Sequence, residues 1–375
     1  MKLIHVFLCA FAVVLLSCEK EVRPEIEQNK FRTVLVYLAA DNSLAAEAYK
    51  NMQQMRNALG DIDGNLLVYA KLPNQTAAIY HISNVEYSKE GQLKIKEYTN
   101  HNSSDPNTLK QVFDDVRDAY PASSYGLILW SHATGWIPPG MPGIKLKSFG
   151  DDQGREMDIK DLAGALPNDL DFILFDACSM ASLEVLYEIK NKAKYIIASP
   201  GEVISNGMPY DQTINLFFEK GVQAYESIAQ KYFLHYNAMD GLYKSATISV
   251  IDASKLHAIA QKTKSILNNQ QAKFSDFNRG HVQRMDFDRI SNPLIAFDFA
   301  DFMRQNYMDE SVLDLNHSID AAIIYKGNTA YFNGYQIRTY SGLTCYIPVL
   351  DNEEVVHDYY RTLSWYKDSG FDQLF

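Results

Sequence analysis

Asp171-Phe-Ile-Leu-Phe-Asp-Ala-Cys178-Ser-Met-Ala-Ser-Leu-Glu184 is the stretch whose reading decides the fold. A short apolar run stops abruptly at a carboxylate and a thiol, and small turn-forming residues follow. Upstream, Gly126-Leu-Ile-Leu-Trp-Ser-His132 repeats the design with a histidine at its end. Each run has the length of one buried parallel strand. Open α/β sheets present their reactive groups just beyond the carboxyl ends of such strands. The histidine precedes the cysteine by 46 residues.

Working outward, the flanking segments alternate strand and helix. Residues 33–39 form a β-branched apolar run bounded by Asp41 and Asn42. Asn42 or Ser43 is placed to cap a helix in which Leu44, Ala48, Met52 and Met55 recur at helical spacing before Gly60. Leu66 to Leu72 reads as a strand, Ala77 to Ile82 with Leu93 to Tyr98 as a hairpin, and Asn107 to Tyr120 as a helix ended by Pro121. A helix from about Asp158 to Leu166, a helix over 180–191 and a strand over 194–199 complete the pattern. Such alternation predicts an α/β fold, a mostly parallel sheet flanked by helices. Past residue 210 helical patterns dominate (211–238, 253–272, 296–306, 311–324), interrupted by strand-like runs at 245–251, 333–339 and 343–348. This is read as a largely helical C-terminal addition, 211–375, that partly completes the sheet of a 31–210 core; the boundary between them is soft.

The amino terminus carries a different message. Lys2 and the apolar run Leu3 to Leu16 read as a secretory signal, too short for a comfortable membrane span. The run ends Leu15-Leu-Ser-Cys18, which resembles the lipobox of bacterial lipoproteins, in which the cysteine becomes the acylated first residue. Residues 1–18 are therefore expected to be a lipoprotein signal and 19–30 a flexible tether. That places the chain in a bacterial cell envelope, held to a membrane through lipid at Cys18. Of four cysteines, Cys178 and Cys345 remain after Cys9 and Cys18, which is no disulfide framework. The net charge of −11 argues against nucleic acid as a partner. A monomer is expected.

A free thiol is mostly protonated at neutral pH and needs activation to act as a nucleophile. Cys178 is expected where a strand turns into a helix, so that backbone N–H groups and the helix dipole favour a thiolate. His132, on a neighbouring strand, is the candidate acid/base. Backbone N–H groups at Cys178 and Ala133 are candidates for an oxyanion hole. The plainer readings are a core cysteine and a satisfied polar histidine; the shared placement at strand ends favours catalysis.

The chain resembles the clostripain-type cysteine peptidases, family C11, which share a caspase-like fold with gingipains and legumains. Caspases place their histidine about 50 residues before the cysteine, the order seen here. The resemblance rests on Val34-Leu-Val-Tyr-Leu-Ala-Ala-Asp-Asn-Ser-Leu44, Leu129-Trp-Ser-His-Ala-Thr-Gly-Trp136, Phe175-Asp-Ala-Cys-Ser-Met180 with Glu184, Ala198-Ser-Pro-Gly-Glu202 with Gly207-Met-Pro-Tyr-Asp211, and Gly342-Leu-Thr-Cys-Tyr-Ile-Pro348. It implies a caspase-like sheet, Cys178 as nucleophile, His132 as proton carrier and a structural Cys345. One departure stands out: the family usually has glycine after its histidine, and this chain has Ala133.

By period-2 alternation Asp176 shares a face with Cys178, and a carboxylate ending an apolar run needs a partner. The plainer partners are an ion pair or a helix cap. The resemblance implies that Asp176 lines the S1 pocket and pairs with Arg or Lys of a peptide substrate, with Glu202 and Asp211 as second acids. The Pro/Gly-rich loop 137–150 is expected to be exposed and easily nicked. Family members mature by self-cleavage after a basic residue here, so Lys147, or failing that Lys145, is the expected site. No cofactor is required. Some relatives depend on calcium (Ca2+), and Asp151, Asp152 and Asp158 could supply oxygens, but without EF-hand spacing a solvated acidic loop is the simpler reading. Two rival functions stay open: an inactive caspase-like peptide-binding lipoprotein, which Ala133 would favour, and an acyl-transfer enzyme or hydrolase acting on non-peptide substrates.

Overall fold

The computed structural model describes residues 30–84, 92–139, 148–270, 277, 279–287, 296–307, 310–348 and 354–374. The signal segment, Cys18, nearly all of the tether and the lysines Lys145 and Lys147 lie outside the described residues. Among those described, no helix is long and apolar enough to cross a membrane.

Five parallel strands form the heart of the sheet: β1 (Lys30–Ala39), β2 (Gly64–Lys71), β5 (Ala122–Trp130), β8 (Leu170–Asp176) and β9 (Ala193–Ala198). The hairpin β3 (Ala77–Ile82) and β4 (Gln92–Tyr98) extends one edge antiparallel to β2. At the other edge β10 (Thr247–Asp252) pairs antiparallel with β9, and β12 (Ile323–Asn328) with β10. The nine strands run β12-β10-β9-β8-β5-β1-β2-β3-β4. The expected mostly parallel α/β sheet is present, and the C-terminal region donates two of its strands.

Alternate residues of the inner strands enter one of two cores. On β1, Val34, Val36 and Leu38 face one layer, and Leu35, Tyr37 and Ala39 the other. The first layer holds α1 (Ala45–Ala58) and α6 (Val222–Asn237). The second holds α2 (Pro106–Ala119), α3 (Ile159–Ala165), α4 (Leu183–Ile189) and helices of the C-terminal region, among them α7 (Leu256–Gln270) and α8 (Phe299–Asn306). Helix α2 shows the local logic. Asp105 accepts from the N–H groups of Asn107 and Thr108, Pro106 fills the first turn, and Leu109, Val112, Phe113 and Val116 form one buried stripe.

Several sequence expectations are corrected at their edges. The helix expected over 211–238 is broken: α5 (Tyr210–Thr213) runs into a 3-10 turn at Ile214–Phe218, and Gly221, at φ 91°, restarts the chain as α6. The helix expected over 311–324 ends at Ala322 as α9 (Glu310–Ala322), because Ile323 and the residues after it are recruited as edge strand β12. The strand-like runs 333–339 and 343–348 give only two-residue strands at 331–332, 335–336 and 344–345, outside the main sheet. The run 343–348 reads as a strand because it is buried and apolar, whereas in 333–339 only Ile337 is buried.

Candidate active site

Chain order makes β1 the point where the sheet reverses. β2 lies on one side of β1, β5 and then β8 on the other. The carboxyl ends of β1, β5 and β8 therefore open side by side, the usual place for a site in such sheets. The register is explicit: Leu38 pairs with Trp130, and Trp130 with Asp176. His132 and Cys178 each lie two residues beyond a paired position on neighbouring strands, which run about 4.8 Å apart.

The two side chains line one cavity of about 100 Å³, together with Leu44, Trp130, Asp176, Val203 and Gly207. Ligand clefts usually measure about 300–1,000 Å³, so this one suits a single side chain. Larger hollows of about 410 and 500 Å³ lie elsewhere, lined by neither cysteine nor histidine.

Cys178 is half-buried and forms no disulfide. Helix α4 begins only at Leu183, capped by Ser182, so the expected helix dipole does not act directly on the sulfur. A loop amide takes its place. The Val203 N–H donates to Sγ at 3.2 Å, and the Val203 carbonyl stands 3.8 Å from it. The turn is held by Ser179 N–H to Gly201 O (2.7 Å) and Ala181 N–H to Ser199 O (2.9 Å). Ser179 adopts φ 60°, a left-handed conformation that costs a non-glycine residue about 1–2 kcal/mol. That strain sits directly behind the thiol.

His132 is half-buried, and its Nε2 lies 2.9 Å from Ser43 Oγ. Ser43 belongs to the turn after β1, where sequence reasoning saw only a helix cap; the α1 N-terminus has no side-chain cap. Asn42 fixes this turn, donating to Ala39 O and Asp151 O and accepting from Leu44 N–H. The histidine loop is stitched to the segment after residue 147 by Gly150 N–H to His132 O (2.9 Å) and Thr134 N–H to Ser148 O (3.1 Å). Ala133 is not among the residues with positive φ, so alanine in place of glycine carries no backbone strain. Gly135, at φ 84°, lets this loop pass the Cys178 turn: a Cβ there would stand 3.1 Å from Ser179 O.

Asp176 is buried, and its Oδ2 accepts from Met208 N–H (2.9 Å) and Tyr210 Oη–H (3.0 Å). Among the described residues no cationic side chain pairs with it. Burial pushes its pKa up to about 6, against the pull of those two donors. Gly207 is obligatory here: at φ 68°, a Cβ would lie 2.7 Å from the carboxylate. Trp130, which lines the cavity, is held by Asn51 on α1 at 3.0 Å; Asn51 also donates to Asn206 O. Nothing local in the sequence singles out Asn51.

The other expected acids lie outside the cavity lining. Glu202 accepts from Phe287 N–H at 2.7 Å, and Asp211 is exposed in the first turn of α5. Asp151 and Asp152 are buried rather than solvated: Asp151 accepts from Gly154 N–H, Asp152 from Ser103 N–H and Oγ–H, while Asp158 caps α3. Among the described residues no three His, Cys, Asp or Glu side chains are grouped to hold a metal ion. Cys345 is buried and free.

Comparison with known proteins gives concordant findings. The model of the clostripain family, C11, matches residues 36–372. Clostripain of Hathewaya histolytica is 22% identical over 219 residues; the match covers 49% of this chain and only 42% of the length of clostripain. The structure of an inactive zymogen C11 protease from Parabacteroides distasonis is 32% identical, covers 90% of this chain and 97% of its own, and superposes with a TM-score of 0.77. A clostripain from Bacteroides thetaiotaomicron, solved in complex with the peptide inhibitor BTN-VLTK-AOMK, is 28% identical and covers 59% of this chain and 97% of its own, with a TM-score of 0.51.

Proposed function

The chain belongs to the clostripain family of cysteine endopeptidases, and we propose that it is an exported, lipid-anchored member that cleaves peptides after lysine or arginine. Cys178 is the nucleophile and His132 the acid/base. The thiolate attacks the scissile carbonyl carbon. The imidazolium then gives its proton to the leaving amine as the C–N bond breaks, and water, deprotonated by His132, releases the acyl group. Backbone N–H groups at Cys178 and Ala133 are the proposed donors to the oxyanion. The unstrained backbone at Ala133 removes the one sequence feature that favoured an inactive binding protein.

One observation carries the specificity: a buried carboxylate with no counter-cation among the described residues lines the same small cavity as the thiol and the imidazole. An ionised Asp176 would gain its missing partner from a cationic P1 side chain. The peptide inhibitor held by the Bacteroides thetaiotaomicron relative ends in lysine, which supports this reading. Glu202 and Asp211 are left with supporting roles outside the pocket.

Self-cleavage after Lys147, with Lys145 the lesser candidate, is proposed as the maturation step. It is supported by the zymogen relative and by the pinned ends of the loop, where Ser148 Oγ–H donates to Ile137 O at 2.6 Å. Lipidation at Cys18 in the cell envelope rests on the N-terminal sequence alone. The test is a panel of fluorogenic peptides ending in Lys, Arg, Asp and Asn, run on wild type and Cys178→Ala. Cleavage after Lys or Arg only, absent in Cys178→Ala, is expected. Cleavage after Asp or Asn would overturn the pocket assignment, and no cleavage at all would favour a binding protein.

A further inference from the structure

We propose that Ser43 is the positioning residue of the catalytic histidine, the third member of a Ser43–His132–Cys178 relay; this rests on the catalytic roles proposed above. Ser43 Oγ lies 2.9 Å from His132 Nε2, a contact made across 89 residues of chain. An imidazole that must take a proton at one nitrogen needs the other one fixed, because that bond sets both tautomer and ring orientation.

Ser43 is well placed to fix it. It rides on a turn clamped from three directions. Asn42 donates to Ala39 O at 2.9 Å and to Asp151 O at 2.7 Å. Asp41 pairs with Lys71 Nζ at 2.6 Å and accepts from Gln153 Nε2 at 2.8 Å. The Gln153 N–H returns to Asp41 O at 3.1 Å. The next residue, Leu44, lines the cavity with Cys178. A side chain on so rigid a turn at the mouth of the site can orient a neighbour at little entropic cost.

With Ser43 Oγ accepting from Nε2–H, Nδ1 is the basic nitrogen. The Cys178 thiol proton passes to Nδ1, leaving thiolate and imidazolium. In acylation Nδ1–H goes to the leaving amine, and in deacylation Nδ1 takes a proton from water. Throughout, Nε2–H stays on Ser43, whose bond strengthens whenever the ring is charged. A serine, unlike a carboxylate, adds no second negative charge beside the thiolate.

The test compares wild type, Ser43→Ala and Ser43→Thr by two readouts. The first is the pH profile of kcat and KM on a Lys-ending peptide. Removing the acceptor weakens the imidazolium, so the alkaline limb should move down in pH and the acid limb up, narrowing the bell. In Ser43→Ala kcat should fall about ten-fold with KM nearly unchanged, the loss expected for one hydrogen bond to a charged group; Ser43→Thr should restore it. The second is the pH dependence of Cys178 alkylation by iodoacetamide, read by peptide mass spectrometry, which needs no peptidase activity. A shifted alkylation profile in Ser43→Ala with no peptide cleaved by wild type would uphold the relay and refute the peptidase reading. Unchanged profiles in Ser43→Ala, or Ser43→Thr as impaired as Ser43→Ala, would overturn the proposal.

Discussion

Replacing Asp176 by asparagine should make the protein more stable and far less active. In the fold the Asp176 carboxyl titrates near pH 6 instead of 3.8, because burial penalises its ionised form. An acid whose folded-state pKa is raised destabilises the fold once pH exceeds the unfolded value, and the penalty levels off above the folded one. Two units at about 1.36 kcal/mol each give ~3 kcal/mol at pH 7.5, shrinking to ~1 kcal/mol at pH 4.5. Both hydrogen bonds to the carboxylate fall on Oδ2, so the amide oxygen of Asp176→Asn can still accept both. Urea unfolding of Cys178→Ala with and without Asp176→Asn, at pH 4.5 and 7.5, measures the difference without self-cleavage. Meanwhile kcat/KM on a Lys-ending peptide should fall at least about a hundred-fold, since a buried ammonium would lose the counter-charge of Asp176. A variant that is less stable at pH 7.5, or whose advantage is the same at both pH values, would refute the reasoning.

Glu184 is fully buried, accepts from Tyr346 N–H, and is pushed up to about 8 by desolvation. Folding therefore takes up a proton at Glu184 between about pH 4.5 and 8, which lowers stability by about 1.4 kcal/mol per pH unit across that window; above pH 6, where Asp176 no longer adds to it, urea titrations of Glu184→Gln should show that slope gone, and an unchanged slope would contradict the assignment. Gly207→Ala forces a Cβ to 2.7 Å from the Asp176 carboxylate at φ 68°. It should cost about 2 kcal/mol of stability and at least ten-fold in kcat/KM; wild-type kinetics would show that the pocket does not depend on this contact. If the chain cuts itself after Lys147, the fragments should co-elute until denatured, because β5 on one pairs with β8 on the other. Separation in native gel filtration would count against this, as would cleavage persisting in a Lys145→Ala, Lys147→Ala double variant.

What was legible in the sequence was what is encoded locally. Strands β1, β5 and β8 announce themselves because a strand buried on both faces must be apolar throughout, and the first hydrophilic residue marks its end. Alternation places Asp176, two residues before Cys178, on the same face as the thiol, while its pocket role is what the family resemblance implies. What was not legible depends on chains far apart in sequence. Ser43 meets His132 only because β1 lies beside β5, a fact of strand order that no local pattern carries. The helix dipole expected at Cys178 gave way to the Val203 amide because four residues, Ser179 to Ser182, separate the thiol from the start of α4. Glu202 and Asp211 lie in the right segment, but the backbone of 199–211 turns its amides toward Cys178 and Asp176 and its acids elsewhere. The helix expected over 311–324 takes in only Ile323 and Ile324 of β12, because the rest of that edge strand lacks an apolar run.

The most direct measurement is the site of covalent capture. A peptide ending in lysine and carrying a thiol-reactive electrophile in place of the scissile bond, incubated with the protein and mapped by mass spectrometry, should modify Cys178 alone. Labelling should collapse in His132→Ala and Asp176→Asn, and an aspartate-ending analogue should not react. Adducts on another residue, or equal labelling by the aspartate-ending peptide, would contradict a Cys178 nucleophile read out through Asp176.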